Sequence, residues 1–179
     1  FGLLGTLSFN GNKTITTGGG GAILTNDESL ARHAKHLITT AKLPHAWEFR
    51  HDEIGYNYRM PNINAALGCA QLEQLPAKLA AKRQLFLRYQ SAFEDVEGVT
   101  LFKEPKNCRS NYWLQTIILQ KPDLKIRNFI LQKTNDIKIS TRPVWQLLDE
   151  IKYLGKTPKM NLDVSKKLEK QIKELDKLS

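Results

Sequence analysis

The sequence predicts a mixed α/β fold, with an α/β first part, a long central helix and a smaller α+β last part. Short apolar runs alternate with glycine-rich turns near the N-terminus, as in the strands of a packed sheet. Apolar residues then recur at helical spacing from about residue 63 to residue 93, and shorter strand-like and helix-like segments follow. Hydrophobic residues make up 41% and charged residues 25% of the 179 residues, which is typical of a globular chain and excludes a disordered one.

The first part contains two predicted strands, a helix and a loop. Apolar runs at residues 3–9 and 22–25 predict the strands, and an Asn-Asp pair can cap a helix over about 29–40 by accepting its first N–H groups. Residues 41–62 have an irregular pattern and are rich in aromatic, histidine and charged residues. This composition indicates a functional loop rather than a linker.

The central helix is predicted to begin near Ile63 and to end at Gly98. Pro76 should kink or divide it, because proline lacks an N–H donor and its ring clashes with the preceding turn. The boundary between the two parts therefore falls within residues 76–98. The later patterns predict a strand at 112–119, a helix at about 127–134, a strand at 137–141, and an amphipathic helix from Ser165 with Leu168, Ile172 and Leu175 on one face.

The net charge of +9 is unevenly distributed along the chain. Residues 1–77 carry six basic and six acidic side chains, whereas residues 78–142 carry thirteen and six. Such an excess is compatible with nucleic-acid binding, since Lys and Arg displace counterions from phosphates. The basic residues are scattered and not interleaved with aromatic residues, so a solvated basic surface is the favoured interpretation.

Several other classes of protein are disfavoured by simple features of the chain. No apolar run approaches the length of a transmembrane helix, and no signal-peptide pattern opens the chain. The two cysteines, Cys69 and Cys108, are too few for a disulfide scaffold, so we expect a cytoplasmic protein without a membrane partner. Because the chain begins at Phe1 and not at Met, we expect a processed protein or a piece of a longer one.

The most distinctive segment surrounds Lys13 and precedes a run of four glycines, Gly18 to Gly21. A lysine held in a tight turn between buried strands is partly desolvated, which lowers the pKa of its amine and makes it nucleophilic. Ser8 can present its hydroxyl to the same pocket, and glycines allow positive φ angles or close approach to a ligand. The alternative is a flexible glycine loop beside an ordinary surface lysine. The segment matches neither the P-loop pattern nor the dinucleotide-binding glycine pattern.

Two blocks of sequence resemble the hallmark motifs of one family. Ser8-Phe9, three further residues, Lys13 and the Thr-Gly-rich stretch form the first, and residues 55–73, which open Gly-Tyr-Asn-Tyr-Arg, form the second. Together they resemble the DegT/StrS family of nucleotide-sugar aminotransferases, which depend on pyridoxal 5′-phosphate (PLP). Residues 39–53 are similar to a narrower branch that aminates nucleotide-linked 4-keto-6-deoxy sugars on routes to bacillosamine- or legionaminic-acid-type glycans.

The resemblance implies the C-terminal part of the PLP-dependent transferase fold, of the aspartate aminotransferase type. Residues 1–76 would complete the large PLP-binding domain, 77–98 would form the connecting helix, and 99–179 the small α+β domain. The implied activity is transfer of an amino group from an amino acid, with glutamate the expected donor, to the keto sugar. The implied assembly is a homodimer with shared active sites.

The resemblance also implies roles for four residues, and a fifth, His45, is a candidate because of its place beside Pro44 in the loop. Lys13 would bind PLP covalently and then move protons as the catalytic amine, and Ser8 would hydrogen-bond the cofactor phosphate. Asn57 would reach the cofactor, and Arg59 the cofactor phosphate or the substrate, in the neighbouring subunit's site. The alternative for Arg59 is an ion pair with Asp52 or Glu53 of its own chain. His45 is a candidate for lining the sugar site.

The four histidines raise the question of a metal site. His33 and His36 stand one helical turn apart, but no cysteine or carboxylate cluster in the sequence completes a ligand set. The sequence therefore predicts no bound metal.

The chain departs from the family in length and at its C-terminal end. Family members are about twice this length, and the carboxylate that pairs with the cofactor's pyridine nitrogen and the aromatic residue that stacks on its ring have no match here. We therefore expect exposed apolar surface on incomplete strands of a large parallel sheet, and a chain that is inactive alone, with a non-catalytic remnant as the alternative. Asp149 stands where a histidine is usual, and a further motif near the C-terminus is absent.

Overall fold

A computed structural model of the chain describes residues 2–175 and divides it into two compact units. Unit 1 comprises Phe1–Lys78 and unit 2 comprises Leu79–Ser179. The predicted mixture of helices and strands is present in both. None of the helices within residues 2–175 combines the length and the apolar composition needed to cross a bilayer.

Unit 1 begins with two short strands and a capped helix. Strand β1 (Gly5–Ser8) pairs antiparallel with β2 (Gly21–Leu24), and helix α1 (Glu28–Ile38) follows. Asp27 caps α1 by accepting the Leu30 N–H at 2.9 Å, as the sequence predicts. The expectation of a parallel sheet is wrong for this pair of strands, because the chain reverses direction between them.

The expected exposure of apolar surface is present on these strands. Leu7 of β1 and Ile23 of β2 are each about half exposed, although they are large aliphatic residues in strands. Leu3, just before β1, is also mostly exposed. Unit 1 thus leaves uncovered an apolar surface of the kind that contacts protein in other folds.

Residues 39–59, which overlap the segment 41–62 predicted to be irregular, form a partly paired segment that we call the arm. Thr39 bridges Asn57 and Lys42 bridges His51, both in antiparallel fashion. The Tyr56 N–H also donates to the Leu37 carbonyl at 2.7 Å, at the C-terminal end of α1. The arm is therefore a folded extension of α1 whose backbone hydrogen bonds are largely made within the chain.

The predicted central helix is two helices, α2 (Asn62–Glu73) and α3 (Leu75–Ala92). The break at Gln74 lies just before Pro76, which confirms the prediction that this proline divides the helix. The helical part ends at Ala92, before Gly98, which adopts a φ of 80° in the turn leading to the next strand. The glycine therefore serves this turn and does not cap the helix.

Unit 2 contains, after α3, the elements β3 (Val99–Leu101), β4 (Gln115–Leu119), α4 (Leu124–Asp136), β5 (Thr141–Pro143), α5 (Asp163–Glu169) and β6 (Ile172–Leu175). The strands form a four-stranded antiparallel sheet with the order β3-β4-β6-β5. Helix α4 packs against β5 and β6, and a short 3₁₀ turn at Leu148–Glu150 lies between β5 and α5.

Two sequence predictions in unit 2 are wrong. Ile137, placed in a strand, is the C-cap of α4, and Lys138 has a φ of 65°, so β5 begins only at Thr141. The amphipathic helix predicted from Ser165 ends at Glu169, and β6 occupies the position between β4 and β5. Backbone hydrogen bonds to two neighbouring strands outweigh the local helical pattern here. Residues 176–179 of the predicted helix lie outside the described part.

The core of unit 2 contains Phe86 of α3, Leu101, Tyr112 and Ile117. Phe86 and Tyr112 stack with ring centroids 4.0 Å apart. The guanidinium carbon of Arg83 lies 4.9 Å from the centroid of the Tyr112 ring, so a cation–π contact adds to the stacked pair. Aromatic packing of this kind joins α3 to the strands of its own unit.

Arg83 also forms a two-pronged ion pair with Glu104. Its two terminal nitrogens donate to the two Glu104 oxygens at 2.7 and 3.1 Å, and Glu104 accepts the Ser110 N–H at 2.6 Å. The hydrogen bonds from Arg83, together with the one from Ser110, lower the pKa of Glu104 to about 2. The pair therefore anchors residues 104–110 to α3 through a charged carboxylate.

Asp149, the residue that departs from the family's usual histidine, organises the segment after β5. One of its carboxylate oxygens lies 3.3 Å from Lys159 Nζ and 3.8 Å from Lys166 Nζ. A carboxylate suits this position because it can offset the charges of two lysines, whereas a histidine carries no negative charge.

The ion pair predicts a specific response to acid. The folded-state pKa of Glu104 lies below its ordinary value of 4.5, so its contribution to stability is full above that pH and is lost as the pH falls towards 2. We expect Glu104→Gln to abolish this part of the acid-induced loss of stability. Urea unfolding at several pH values measures it, in a Trp47→Phe background where the two remaining tryptophans, Trp113 and Trp145, report on unit 2.

The matched control is Glu94→Gln, which changes an exposed carboxylate of unit 2 with no ion pair among residues 2–175. It should keep the wild-type pH dependence. Identical acid profiles for Glu104→Gln and wild type would show that the ion pair does not stabilise the folded unit.

Candidate functional site

Lys13 lies in a closed loop between β1 and β2, which we call the Lys13 loop (residues 10–20). The Phe9 N–H donates to the Gly20 carbonyl, and the Thr17 N–H donates to the Phe9 carbonyl, each at 3.0 Å. The Lys13 N–H donates to Asn10 at 3.0 Å in a tight turn, and the lysine is half-buried. Hydrogen bonds at both ends therefore restrict where this amine can lie.

The sequence of the loop explains its shape. The Thr16 hydroxyl donates to the Phe9 carbonyl at 3.0 Å and accepts the Gly18 N–H at 2.9 Å. Gly18 and Gly20 adopt φ angles of 80° and 89°, which side-chain-bearing residues rarely adopt. Gly18 and Gly20 are therefore required by the backbone conformation of the loop.

One face of α2 holds the loop from the side. Asn64 and Gln71 lie on this face, where Asn64 Nδ2 donates to the Thr17 carbonyl at 2.5 Å and Gln71 Oε1 accepts the Thr16 N–H at 3.4 Å. Gly68 lies between them, and a Cβ there would come within 3.1 Å of the Thr17 side chain. Thr17 is itself buried, so α2 fixes the part of the loop that follows Lys13.

These three α2 residues were not predicted as site residues. The apolar positions that indicated the helix, such as Ile63 and Leu67, are exposed, whereas Asn64, Gly68 and Gln71 are half-buried. All three belong to the second hallmark block. Their regular helical spacing within that motif was the available signal that they share one face of the helix.

Ser8 ends β1 and is exposed beside the Lys13 loop. Its hydroxyl accepts the Asn10 N–H at 3.4 Å, a local bond at the start of the loop. This weak contact leaves capacity for a ligand, because a serine hydroxyl has one donor and two acceptor positions. Ser8 and Lys13 are thus attached to the two sides of the same tight turn.

Asn57 and Arg59 line a cleft of about 930 Å³ in unit 1. The arm presents them, because the Tyr58 N–H donates to the Ile38 carbonyl at 3.0 Å and the rings of Tyr56 and Tyr58 stack 5.1 Å apart. The lining also includes Gly20 at the end of the Lys13 loop, but it does not include Ser8, Lys13 or His45. The structure therefore brings the two arm residues together and places them away from the loop lysine's own turn.

Gly55 allows the end of the arm to pack closely against the first residues of the arm. A Cβ at this position would overlap the backbone of Thr40 and Ala41. Thr40 and Ala41 adopt positive φ angles of 70° and 50°, and Ala41 is fully buried. The close contact fixes the direction in which the chain enters the Asn57–Arg59 segment.

The alternative proposed for Arg59 is wrong in this chain. Asp52 pairs with His36 at 2.6 Å and Glu53 pairs with His33 at 2.9 Å. Within residues 2–175, Arg59 makes no ion pair, and its side chain is exposed. The hydrogen bond with His36 lowers the pKa of Asp52. Both carboxylates are therefore already engaged by α1.

His45 has a local role that the sequence did not indicate. Its Nδ1 accepts the Glu48 N–H at 2.9 Å and the Trp47 N–H at 3.4 Å, so the ring caps a turn of the arm. The ring also meets Trp47 edge-on, with centroids 5.0 Å apart.

The residues present suit a phosphorylated aldehyde such as PLP. Lys13 offers an amine on a loop whose ends are fixed, Ser8 offers a hydroxyl, and Arg59 offers an exposed guanidinium without an internal partner among the described residues. An amine can bond to an aldehyde, and hydroxyl and guanidinium groups are common phosphate ligands. The chemistry of these groups therefore fits the cofactor predicted from the sequence, although Arg59 lines a cleft that includes neither Ser8 nor Lys13.

The comparisons with known proteins identify the family of the chain. The profile of the DegT/DnrJ/EryC1/StrS aminotransferase family matches residues 1–177. EpsN of Bacillus subtilis (strain 168), provisionally named a pyridoxal phosphate-dependent aminotransferase, is 41% identical over 149 residues, which cover 83% of this chain and 37% of EpsN. GDP-perosamine synthase of Escherichia coli O157:H7 is 40% identical over 147 residues, which cover 81% of this chain and 38% of the synthase.

Solved structures show the same fold. Helicobacter pylori PseC, an aminotransferase involved in the biosynthesis of pseudoaminic acid, matches with a TM-score of 0.89 and 24% identity, over 98% of this chain and 48% of that one. The E. coli GDP-4-keto-6-deoxy-D-mannose-3-dehydratase with bound hydrated PLP matches with a TM-score of 0.83 and 24% identity. The match covers 98% of this chain and 50% of the dehydratase. The predicted C-terminal part of a PLP-dependent transferase fold is confirmed, and the chain spans about half or less of the length of these proteins.

The contact between α2 and the Lys13 loop can be tested by one substitution. We expect Asn64→Ala to speed amide hydrogen exchange at residues 16–18 about fivefold, because losing one hydrogen bond costs about 1 kcal/mol of local stability. Hydrogen-exchange mass spectrometry of the purified chain measures this rate.

Asn62→Ala provides the matched control, since Asn62 lies on the same helix and makes no hydrogen bond to the loop. Its exchange at residues 16–18 should equal that of wild type. Equal rates in Asn64→Ala and Asn62→Ala would show that α2 does not hold the loop.

Proposed function

The chain belongs to the DegT/DnrJ/EryC1/StrS aminotransferase family, and we propose that it serves a PLP-dependent amino transfer to a nucleotide-linked 4-keto-6-deoxy sugar. The observation that carries this proposal is the position of Lys13 in its loop. Hydrogen bonds close both ends of this loop, and α2 holds it from one side. An amine in a defined place is what covalent catalysis requires. An amino acid would supply the amino group, with glutamate as the proposed donor.

PLP, when bound, supplies an electron sink that stabilises negative charge on the carbon next to the transferred nitrogen. Lys13 Nζ would hold the cofactor through a covalent bond to its aldehyde carbon. Once released from that bond, the Lys13 amine would accept and return a proton. The hydrogen bond from the Lys13 N–H to the Asn10 carbonyl fixes the backbone from which this side chain extends.

Ser8 and the two arm residues would bind the charged groups of cofactor and substrate. Ser8 Oγ would donate to the cofactor phosphate. Asn57 and Arg59 would serve the site of a second copy of the chain, so we propose a homodimer with shared sites. Their exposure, and the absence of an ion pair to Arg59 among the described residues, support this assignment. A guanidinium can bind phosphate or carboxylate with two hydrogen bonds at once.

The sugar substrate is proposed from the relatives' names and the arm sequence. GDP-perosamine synthase carries a nucleotide in its name and is 40% identical to this chain over 147 residues. We keep His45 as a candidate sugar-site residue, and because its Nδ1 already accepts backbone N–H groups, any bond to substrate would use Nε2. The two exposed free cysteines suit a reducing compartment, which supports the proposed cytoplasmic location.

A second candidate is that this chain alone binds PLP without turning over substrate. The observation that favours it is the short length of the aligned part of the relatives. EpsN and the E. coli GDP-perosamine synthase align with this chain over only 37% and 38% of their own length. Mixing the purified chain with PLP, a keto sugar nucleotide and glutamate distinguishes the two candidates. A PLP absorption change without amino-sugar product supports the second, whereas product formation supports catalysis by the chain itself.

The assignment of Lys13 predicts where the cofactor attaches. After incubation with PLP and reduction with borohydride, peptide mass spectrometry should find the pyridoxyl group on Lys13. Lys13→Arg should lose the label, because a guanidinium does not form the bond, while Lys35→Arg should retain it. Predominant labelling of another lysine, or an unchanged yield in Lys13→Arg, would overturn the assignment.

A further inference from the structure

Two histidines and two carboxylates meet where α1 contacts the arm, outside the residues assigned to PLP. His33 and His36 lie one turn apart on α1, and Asp52 and Glu53 are consecutive residues of the arm. His36 Nε2 lies 2.6 Å from an Asp52 oxygen, and His33 Nε2 lies 2.9 Å from a Glu53 oxygen. The expectation that no carboxylates accompany the histidines is therefore wrong, because the arm supplies them from a distant part of the sequence.

Three of these residues could contact a single ion. One ligand atom each from His36, Asp52 and Glu53 lies within 4.8 Å of the other two. Ligand atoms around one tetrahedral zinc ion are about 3.4 Å apart, given bonds of about 2.0–2.2 Å. The difference is within reach of side-chain rotation, so the backbone need not move. His33 remains hydrogen-bonded to Glu53 and would orient that carboxylate.

The backbone beneath the cluster is already fixed. The two histidines are on a helix, and the Asp52 N–H donates to the Ala41 carbonyl at 3.3 Å. The bridge between Lys42 and His51 holds the same part of the arm. His51 itself is bonded through Nδ1 to the Thr40 carbonyl at 2.7 Å, so it is engaged elsewhere. A ligand would therefore meet a prearranged set of donors.

The cluster is also open to solvent. The side chain of His36 is 26% exposed, that of Asp52 42% and that of Glu53 45%, which gives an ion an entry path. The nitrogen and oxygen donors suit a borderline transition-metal ion better than Mg²⁺ or Ca²⁺, which prefer oxygen ligands alone.

We propose that His36, Asp52 and Glu53 bind a divalent transition-metal ion of the Zn²⁺ class, with His33 positioning Glu53 and water completing the coordination. The ion would replace the proton that His36 and Asp52 share in their hydrogen bond. Since the site joins α1 to the arm, its occupation would stabilise the segment that presents Asn57 and Arg59. The proposal does not depend on the PLP assignment, because neither Lys13 nor Ser8 belongs to it.

The test is a Zn²⁺ titration of the tag-free, chelator-treated chain, followed by competition with a chromogenic chelator. We expect one ion per chain, and we expect His36→Gln and Glu53→Gln each to weaken binding more than about tenfold. His33→Gln should weaken it less, since it removes only a hydrogen bond to a ligand. Glu28→Gln is the matched control on α1, where Glu28 pairs with Arg32, and it should bind as wild type does.

A second measurement on the unmodified chain covers the case in which a variant misfolds. Ring nitrogen and proton NMR signals of His36 should shift on Zn²⁺ addition, while those of His45 should not. Three results would each overturn the proposal. They are no binding below millimolar Zn²⁺, an NMR shift confined to histidines outside the cluster, and equal Zn²⁺ affinity in wild type, His36→Gln and Glu53→Gln.

Discussion

The backbone of Phe9 is the point on which the proposed catalytic part of the chain depends. Its carbonyl accepts both the Thr17 N–H and the Thr16 hydroxyl at 3.0 Å, and its N–H donates to the Gly20 carbonyl. One residue at the end of β1 thus closes the loop that contains Lys13. The other contacts add to this closure. The threonines and the neighbouring helix α2 bond to parts of the loop whose ends Phe9 already joins.

Unit 1 positions its residues by polar contacts more than by an apolar core. Among its described residues the buried ones are Ala41, which carries only a methyl group, and Thr17, which is polar. Asn64 and Gln71 bond to the loop backbone, and the arm bonds to the last turn of α1. Directional bonds of this kind specify geometry, although each adds only about 1 kcal/mol of stability. Unit 2 differs, because the stacked Phe86 and Tyr112 form a core of the ordinary apolar type.

What the sequence predicted well was local. The Asp27 cap and the division at Pro76 each depend on residues within one or two helical turns, so a pattern suffices to find them. Strand β6 depends instead on backbone hydrogen bonds to β4 and β5, which flank it in the sheet. The spacing of apolar residues along β6 does not reveal these distant partners. The same limit applies to Asn64, which bonds to Thr17 across 47 residues of sequence. The motif resemblance supplied the site residues, but the contacts that hold them required the fold.

The distribution of charges around the arm bears on the role that we propose for Arg59. Unit 1 holds few carboxylates, and the two nearest to Arg59 in sequence, Asp52 and Glu53, are engaged by His36 and His33. The histidines therefore separate the acidic and basic groups of one short segment. An anionic ligand can then meet a cation that has no competing partner among the described residues of its own chain.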